Sequence, residues 1–123
     1  LELKVEGIGN EACAIVKRTG FPGPLIYASF LMPELQRVRQ TDPDAKIMVL
    51  QHRRLPPDPV ADVVALDASH VGLHFSTVTP MLLQTYHNLG RQVFVYTVNE
   101  PQDIQRMRNL GVDGIISDFP DRI

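Results

Sequence analysis

The residues best suited to chemistry stand at the head of the chain, in "LELK" at 1–4. In an extended run successive side chains alternate between faces, so Glu2 and Lys4 share one face while Leu1, Leu3 and Val5 take the other. A carboxylate offers oxygen to a hard cation, and an ammonium offers a point charge to an anion. On an exposed strand edge the same two residues make an ordinary ion pair worth about 0–1 kcal/mol. Four histidines are further candidates for proton transfer. His52 stands beside Arg53 and Arg54 in a loop and His87 beside Asn88 in a helix, so both read as surface residues. His70 begins a strand. His74, near the end of "HVGLHF", shares an alternating set with His70 and Gly72, and its strand-end position suits a pocket lining.

The elements that must position these groups recur at even spacing. Short β-rich runs are "LELKV" from 1, "LIYASF" from 25, "KIMVLQ" from 46, "HVGLHF" from 70, "QVFVYTV" from 92 and "GIISDF" from 114, their starts 24, 21, 24, 22 and 22 residues apart. Helical signals fill the gaps. Thr79-Pro80 opens "MLLQTYHNL" and Gly90 closes it, with Leu82, Leu83, Tyr86 and Leu89 on one face. Asn99 is placed to cap "EPQDIQRMRNL", with Ile104 and Met107 facing in and Gly111 as the exit. Asp58-Pro59 does the same for "VADVVAL" and Asn10 for "EACAIVKR", and a shorter helix follows Pro33.

Strand then helix, repeated, predicts parallel strands joined by right-handed crossovers. Polar residues fall late in the runs: Lys4, Ser29, Gln51, His74, Thr97, Asn99 and Asp118. That pattern favours a barrel with its functional side chains at the strand C-termini over a doubly wound sheet. Six units do not close an eight-unit barrel, so two are expected before Leu1.

A chain of 123 residues with 44% hydrophobic residues, 21% charged and a formal net charge of -2 is the size and composition of one globular domain, spanning 1–123. No basic excess favours nucleic acid, and no apolar run is long enough to span a membrane. The lone Cys13, among Ala12, Ala14, Ile15 and Val16, excludes an intrachain disulfide and reads as a core filler. The expected location is the cytoplasm. No G-x-G-x-x-G or Walker-type loop occurs.

Four motifs in order, "LELK", "ASF" at 28–30, "YTVN" at 96–99 and "GVDGIISDFPDRI" at 111–123, resemble the C-terminal half of the glycerophosphodiester phosphodiesterases. The resemblance covers essentially the whole chain. It implies an α/β fold, a (β/α)8 TIM barrel of which this chain is a six-strand C-terminal portion, and metal-dependent hydrolysis of glycerophosphodiesters to sn-glycerol 3-phosphate and an alcohol. By the same resemblance Glu2 is a ligand of a divalent cation, Mg2+ or Ca2+, and Lys4 is the catalytic cation that meets the phosphate. Tyr96, where the family usually shows Trp, forms with Phe30 and His74 a wall for the substrate. Asn99 is assigned to capping and Asp118 to loop bonding.

The family's H-R-G, E-L-D and H-D motifs do not occur here, so the chain is expected to hold one of three metal carboxylates and neither acid–base histidine. Open strand edges at "LELKV" and "GIISDF" predict a homo-oligomer or association with an N-terminal portion. Two other function classes stand as alternatives: a half-barrel serving only in assembly or ligand binding, and another phosphate-binding barrel, which has no glycine-rich phosphate loop in its favour.

Overall fold

The computed structural model describes all residues 1–123. Five strands, β1 (Ile26–Ser29), β2 (Lys46–Leu50), β3 (His70–His74), β4 (Gln92–Tyr96) and β5 (Gly114–Ile115), form one sheet in sequential order, and every pair is parallel. Five α-helices alternate with them: α1 (Gly9–Thr19), α2 (Met32–Thr41), α3 (Ala61–Ala65), α4 (Pro80–Asn88) and α5 (Pro101–Leu110). A parallel sheet in sequential order has no point where the winding reverses, so right-handed crossovers lay all its helices on one face. A doubly wound sheet, which needs such a reversal, is excluded. The arrangement is that of a partial (β/α)8 barrel.

Alternation along each strand separates two faces. Ile47, Val49, Val71, Leu73, Val93 and Val95 point to the helix side, where exposure is 2% or less, and meet Leu35, Val38, Val63, Tyr86, Ile104 and Met107. On the opposite side the register aligns Ala28, Met48, His70 and Gln92, then Leu50, Gly72, Phe94 and Gly114. Packing there is close: a Cβ on Gly114 would lie 2.8 Å from the Phe94 ring.

The run "LELKV" joins this sheet by an isolated bridge between Glu2 and Ala28 rather than as a sixth full strand. Leu3 N–H donates to the Ala28 carbonyl and Ala28 N–H to that of Leu1, both at 2.8 Å. Only Leu3 of its apolar residues is buried; Leu1 and Val5 are more than half exposed, against the expectation of a common buried face. The chain turns away at Gly7, and nothing covers its outer edge.

What fixes that turn is Glu34. Its carboxylate is wholly buried and accepts from Gly7 N–H at Oε1 and Gly9 N–H at Oε2, each 2.7 Å, while Arg37 pairs with it from one turn along α2. The Gly7 and Gly9 amides and the Arg37 charge outweigh burial and hold the carboxyl below its usual range. Gly9 is needed for this approach, since a Cβ would stand 2.9 Å from the Glu34 carbonyl oxygen. The helix accordingly begins at Gly9 after Ile8, and Asn10 lies inside it instead of capping it. The other signals hold more closely. Thr79 Oγ1 accepts from Leu82 N–H, Asp58 Oδ1 from Val60 and Ala61 N–H, and Gly111 leaves α5 at φ 89°, open to glycine. In α4, Leu83 and Tyr86 are buried but Leu89 is 43% exposed, because the helix ends at Asn88.

Replacing Glu34 by Gln leaves one of the two glycine amides facing an NH2 group. That is expected to destabilise the fold by about 2–4 kcal/mol, in the range for an unsatisfied buried donor plus a lost charge-assisted bond. Thermal melts of Glu34→Gln and Gly9→Ala check it: both should melt well below the parent, and an unchanged Glu34→Gln melt would remove the carboxylate from this role.

Candidate active site

The C-terminal ends of the strands gather the aromatic and charged residues. Lengthening β1 and β2 by one step along the face turned away from the helices brings Phe30 and His52 together, their rings stacked with centroids 4.4 Å apart. Phe30 also meets the Tyr96 ring edge-on at 5.8 Å, and His74, paired in register with Tyr96, meets that ring edge-on at 5.7 Å. The three residues expected to wall a substrate site are therefore in one cluster. Tyr96 donates its hydroxyl to the Gln51 carbonyl, which fixes the ring and leaves the phenol oxygen able to accept. Burial first, and the Glu2 charge second, push the Tyr96 phenol above its ordinary value. Glu2 therefore stands within electrostatic reach of this cluster.

Glu2 and Lys4 lie on the same side of the bridge, with Nζ and Oε2 3.8 Å apart and the lysine side chain 75% exposed. The ammonium is free to turn toward an anion, and packing does not hold it. No group of three or more His, Cys, Asp or Glu in the chain could hold a metal ion. A Mg2+ or Ca2+ shell needs six or more oxygens, and the residues around Glu2 do not supply it.

His74 is held in one tautomer. Its Nδ1 accepts from Ser76 N–H and lies 2.7 Å from Ser76 Oγ, so in the neutral ring the proton sits on Nε2. Burial and the Arg53 charge lower its pKa below the ordinary 6.5. His70 is buried, beside Ser69 Oγ at 2.6 Å, and burial lowers its pKa too. His87 is exposed and pairs with Asp113 at 2.7 Å, a structural contact at the opposite end of the sheet.

Not every polar strand end faces the site. Ser29 is buried on the helix side and donates to the Leu3 carbonyl, and Gln51 Nε2 reaches the Pro59 carbonyl. Asn99 does not cap α5, whose cap position is Glu100. Its side chain instead accepts from Ser117 Oγ and Asp118 N–H and donates to Asp118 Oδ2, tying "SDF" to the end of β4. Asp118 is thereby a loop residue, as expected. His52 is exposed in the loop after β2, as expected, and it also continues the alternation of Met48 and Leu50 onto the face of the aromatic cluster. Glu34 gave no signal beyond an acidic residue in the first turn of a helix.

Two cavities flank the sheet. The larger, about 590 Å3, lies on the helix side against Cys13, Phe21, Tyr27 and Asp42. Burial pushes the Cys13 thiol up and the Tyr27 phenol up to about 12, so neither is a nucleophile near neutral pH. The smaller, about 240 Å3, adjoins the Phe30–His52 stack and Arg54 at the strand ends.

A family model described as the glycerophosphoryl diester phosphodiesterase family matches residues 3–122. A glycerophosphodiester phosphodiesterase of Caldanaerobacter subterraneus subsp. tengcongensis is 28% identical over 117 residues, covering 95% of this chain and 48% of that protein. The crystal structure of a Silicibacter pomeroyi protein, assigned by name as a glycerophosphoryl diester phosphodiesterase, superposes with a TM-score of 0.87 at 32% identity, over 99% of this chain and 47% of the other. That of an Oleispira antarctica phosphodiesterase, in complex with the product sn-glycerol-3-phosphate, gives 0.86 at 24% identity, over 100% and 52%, a likeness of fold. The chain spans about half the length of the curated relatives it matches. No helix is long and apolar enough to cross a membrane.

Both strand histidines are bases held neutral by the fold, while the unfolded chain takes up protons near the ordinary 6.5. Their stabilisation is complete above that value and is lost as the pH falls through it toward the lower folded pKa. The melting temperature is expected to fall between pH 7.5 and 5.5, a window above that in which Glu34 titrates. His70→Gln should flatten the slope. An equal slope in parent and variant would show that His70 does not contribute.

Proposed function

The chain belongs to the glycerophosphoryl diester phosphodiesterase family, and from that premise we propose that the whole protein hydrolyses glycerophosphodiesters to sn-glycerol 3-phosphate and an alcohol. The observation that carries the reading is the placement of the Glu2–Lys4 pair on the sheet face that presents Phe30, His74 and Tyr96 at the strand ends. Hydrolysis of a phosphodiester builds negative charge on the non-bridging oxygens and on the departing alkoxide. Lys4 supplies a mobile cation for a phosphoryl oxygen. Phe30 and the Tyr96 ring form a wall against the glycerol carbons, and the phenol oxygen accepts from a glycerol hydroxyl. Neutral His74 offers an Nε2–H donor at the same mouth.

Glu2 is proposed as one ligand of a divalent cation, Mg2+ or Ca2+, whose remaining ligands, together with the groups that move protons, come from other parts of the whole protein. When bound, the ion would offset charge on the phosphoryl group. The product seen in the Oleispira antarctica enzyme is the same small molecule this reading requires. The inner face left half-open at Phe94 and Ile116, and the edges at "LELKV" and β5, are proposed to be covered by an N-terminal portion or a second copy.

In the full natural protein, Glu2→Gln is expected to lower turnover by about 100-fold or more, because a neutral amide is a poor ligand for a hard cation. Chelator should abolish activity and added Mg2+ or Ca2+ restore it. Lys4→Met should lower kcat with a melting temperature close to the parent's, since the side chain is exposed. Steady-state kinetics beside thermal melts check all three. Near-normal turnover of Glu2→Gln at saturating metal would overturn the ligand assignment.

A further inference from the structure

Beyond the end of β2 the chain leaves a cavity of about 240 Å3 with an apolar floor of Met32, Val49 and Leu50, a wall of Phe30 and His52, and two charged residues, Arg54 and Asp62. A cavity of that volume admits a small polar headgroup. Phe30 joins it to the site: the ring lines the cavity and also meets Tyr96. Arg54 and Asp62 share the cavity without an ion pair between them, and Arg53 beside them is unpaired too.

The charges and rings select among possible occupants. A quaternary ammonium needs open aromatic faces. Here Phe30 is the one phenyl ring of the lining, and one of its faces is taken by His52. Arg53 and Arg54 add repulsion. A zwitterion finds complements in the same cavity: a guanidinium fork matches a carboxylate, and a carboxylate matches an ammonium.

We propose that this cavity is the subsite for the leaving-group alcohol, and that Arg54 and Asp62 select a zwitterionic alcohol of the serine type, its carboxylate on Arg54 and its ammonium on Asp62. The inference rests on the phosphodiesterase reading above and names the leaving-group class for it. Arg54 is the specificity residue, and the Phe30–His52 stack is one wall of the headgroup subsite.

The test uses the full natural protein with glycerophosphoserine and glycerophosphoethanolamine, which differ by the carboxylate alone. The parent should prefer the serine diester in kcat/KM, and Arg54→Gln should cut the ratio of the two about tenfold, the size of one charge-assisted bond. Arg54→Lys should restore part of it. A loss shared equally by both substrates, or a parent preference for the ethanolamine diester, overturns the subsite. Calorimetric binding of O-phosphoserine gives a readout independent of turnover. Binding weakened by Arg54→Gln, with no diester hydrolysed, keeps the subsite and overturns the phosphodiesterase reading; equal binding by both proteins overturns the subsite.

Discussion

One buried carboxylate decides where the first strand-like run lies. Glu34 sits on α2, a helix that packs on β1 and β2, and its two oxygens reach across to the amides of Gly7 and Gly9. A charge taken out of water is tolerable only when its lone pairs are met by donors, and two N–H groups with one guanidinium meet them. The consequence extends past the loop. Because Gly7 and Gly9 are held, the segment before them must leave the sheet edge at Val5, and the Glu2–Ala28 bridge falls where Glu2 and Lys4 face the strand ends. A helix on one side of the sheet thus sets the position of two charged groups on the other.

The sheet keeps scaffold and chemistry apart by the same geometry. β-Branched residues of β2, β3 and β4 fill the helix side at nearly zero exposure, where dispersion and burial are greatest. The opposite face carries the half-exposed Phe30, His74, Phe94 and Tyr96. These side chains stand apart from the helix-side core.

Much of this was legible in the sequence. The even spacing of β-rich runs gave the parallel order, Thr79-Pro80 and Gly111 marked helix ends, and the apolar neighbours of Cys13 placed it in the core, where it is 6% exposed. These are local signals, and each acts within a few residues. What could not be read depends on distance along the chain. Asn99 has the composition of a cap, but its amide finds better partners 18 and 19 residues away in Ser117 and Asp118. Asn10 lost the capping position because Glu34, more than twenty residues later, had already met the Gly9 amide. Leu1 and Val5 obey the alternation expected of a strand, yet one bridge buries only Leu3.

The polar strand ends show why residue type alone does not mark a site. Ser29, Gln51 and His74 all come late in their strands, yet the first two turn to the helix side and close backbone bonds at Leu3 and Pro59. The third turns inward to Tyr96. The difference is parity in the register. Ala28 pairs with Met48, Met48 with His70, and His70 with Gln92, so residues an even number of steps from these share their face. Glu2 enters the same row by its bridge to Ala28, and Lys4, Phe30, His52, His74 and Tyr96 follow in step. A one-residue slip of β2 would exchange Gln51 for His52 at the mouth, and one of β1 would exchange Ser29 for Phe30. The buried valines and isoleucines of the helix face, which a slip would expose, are what hold the site residues in register.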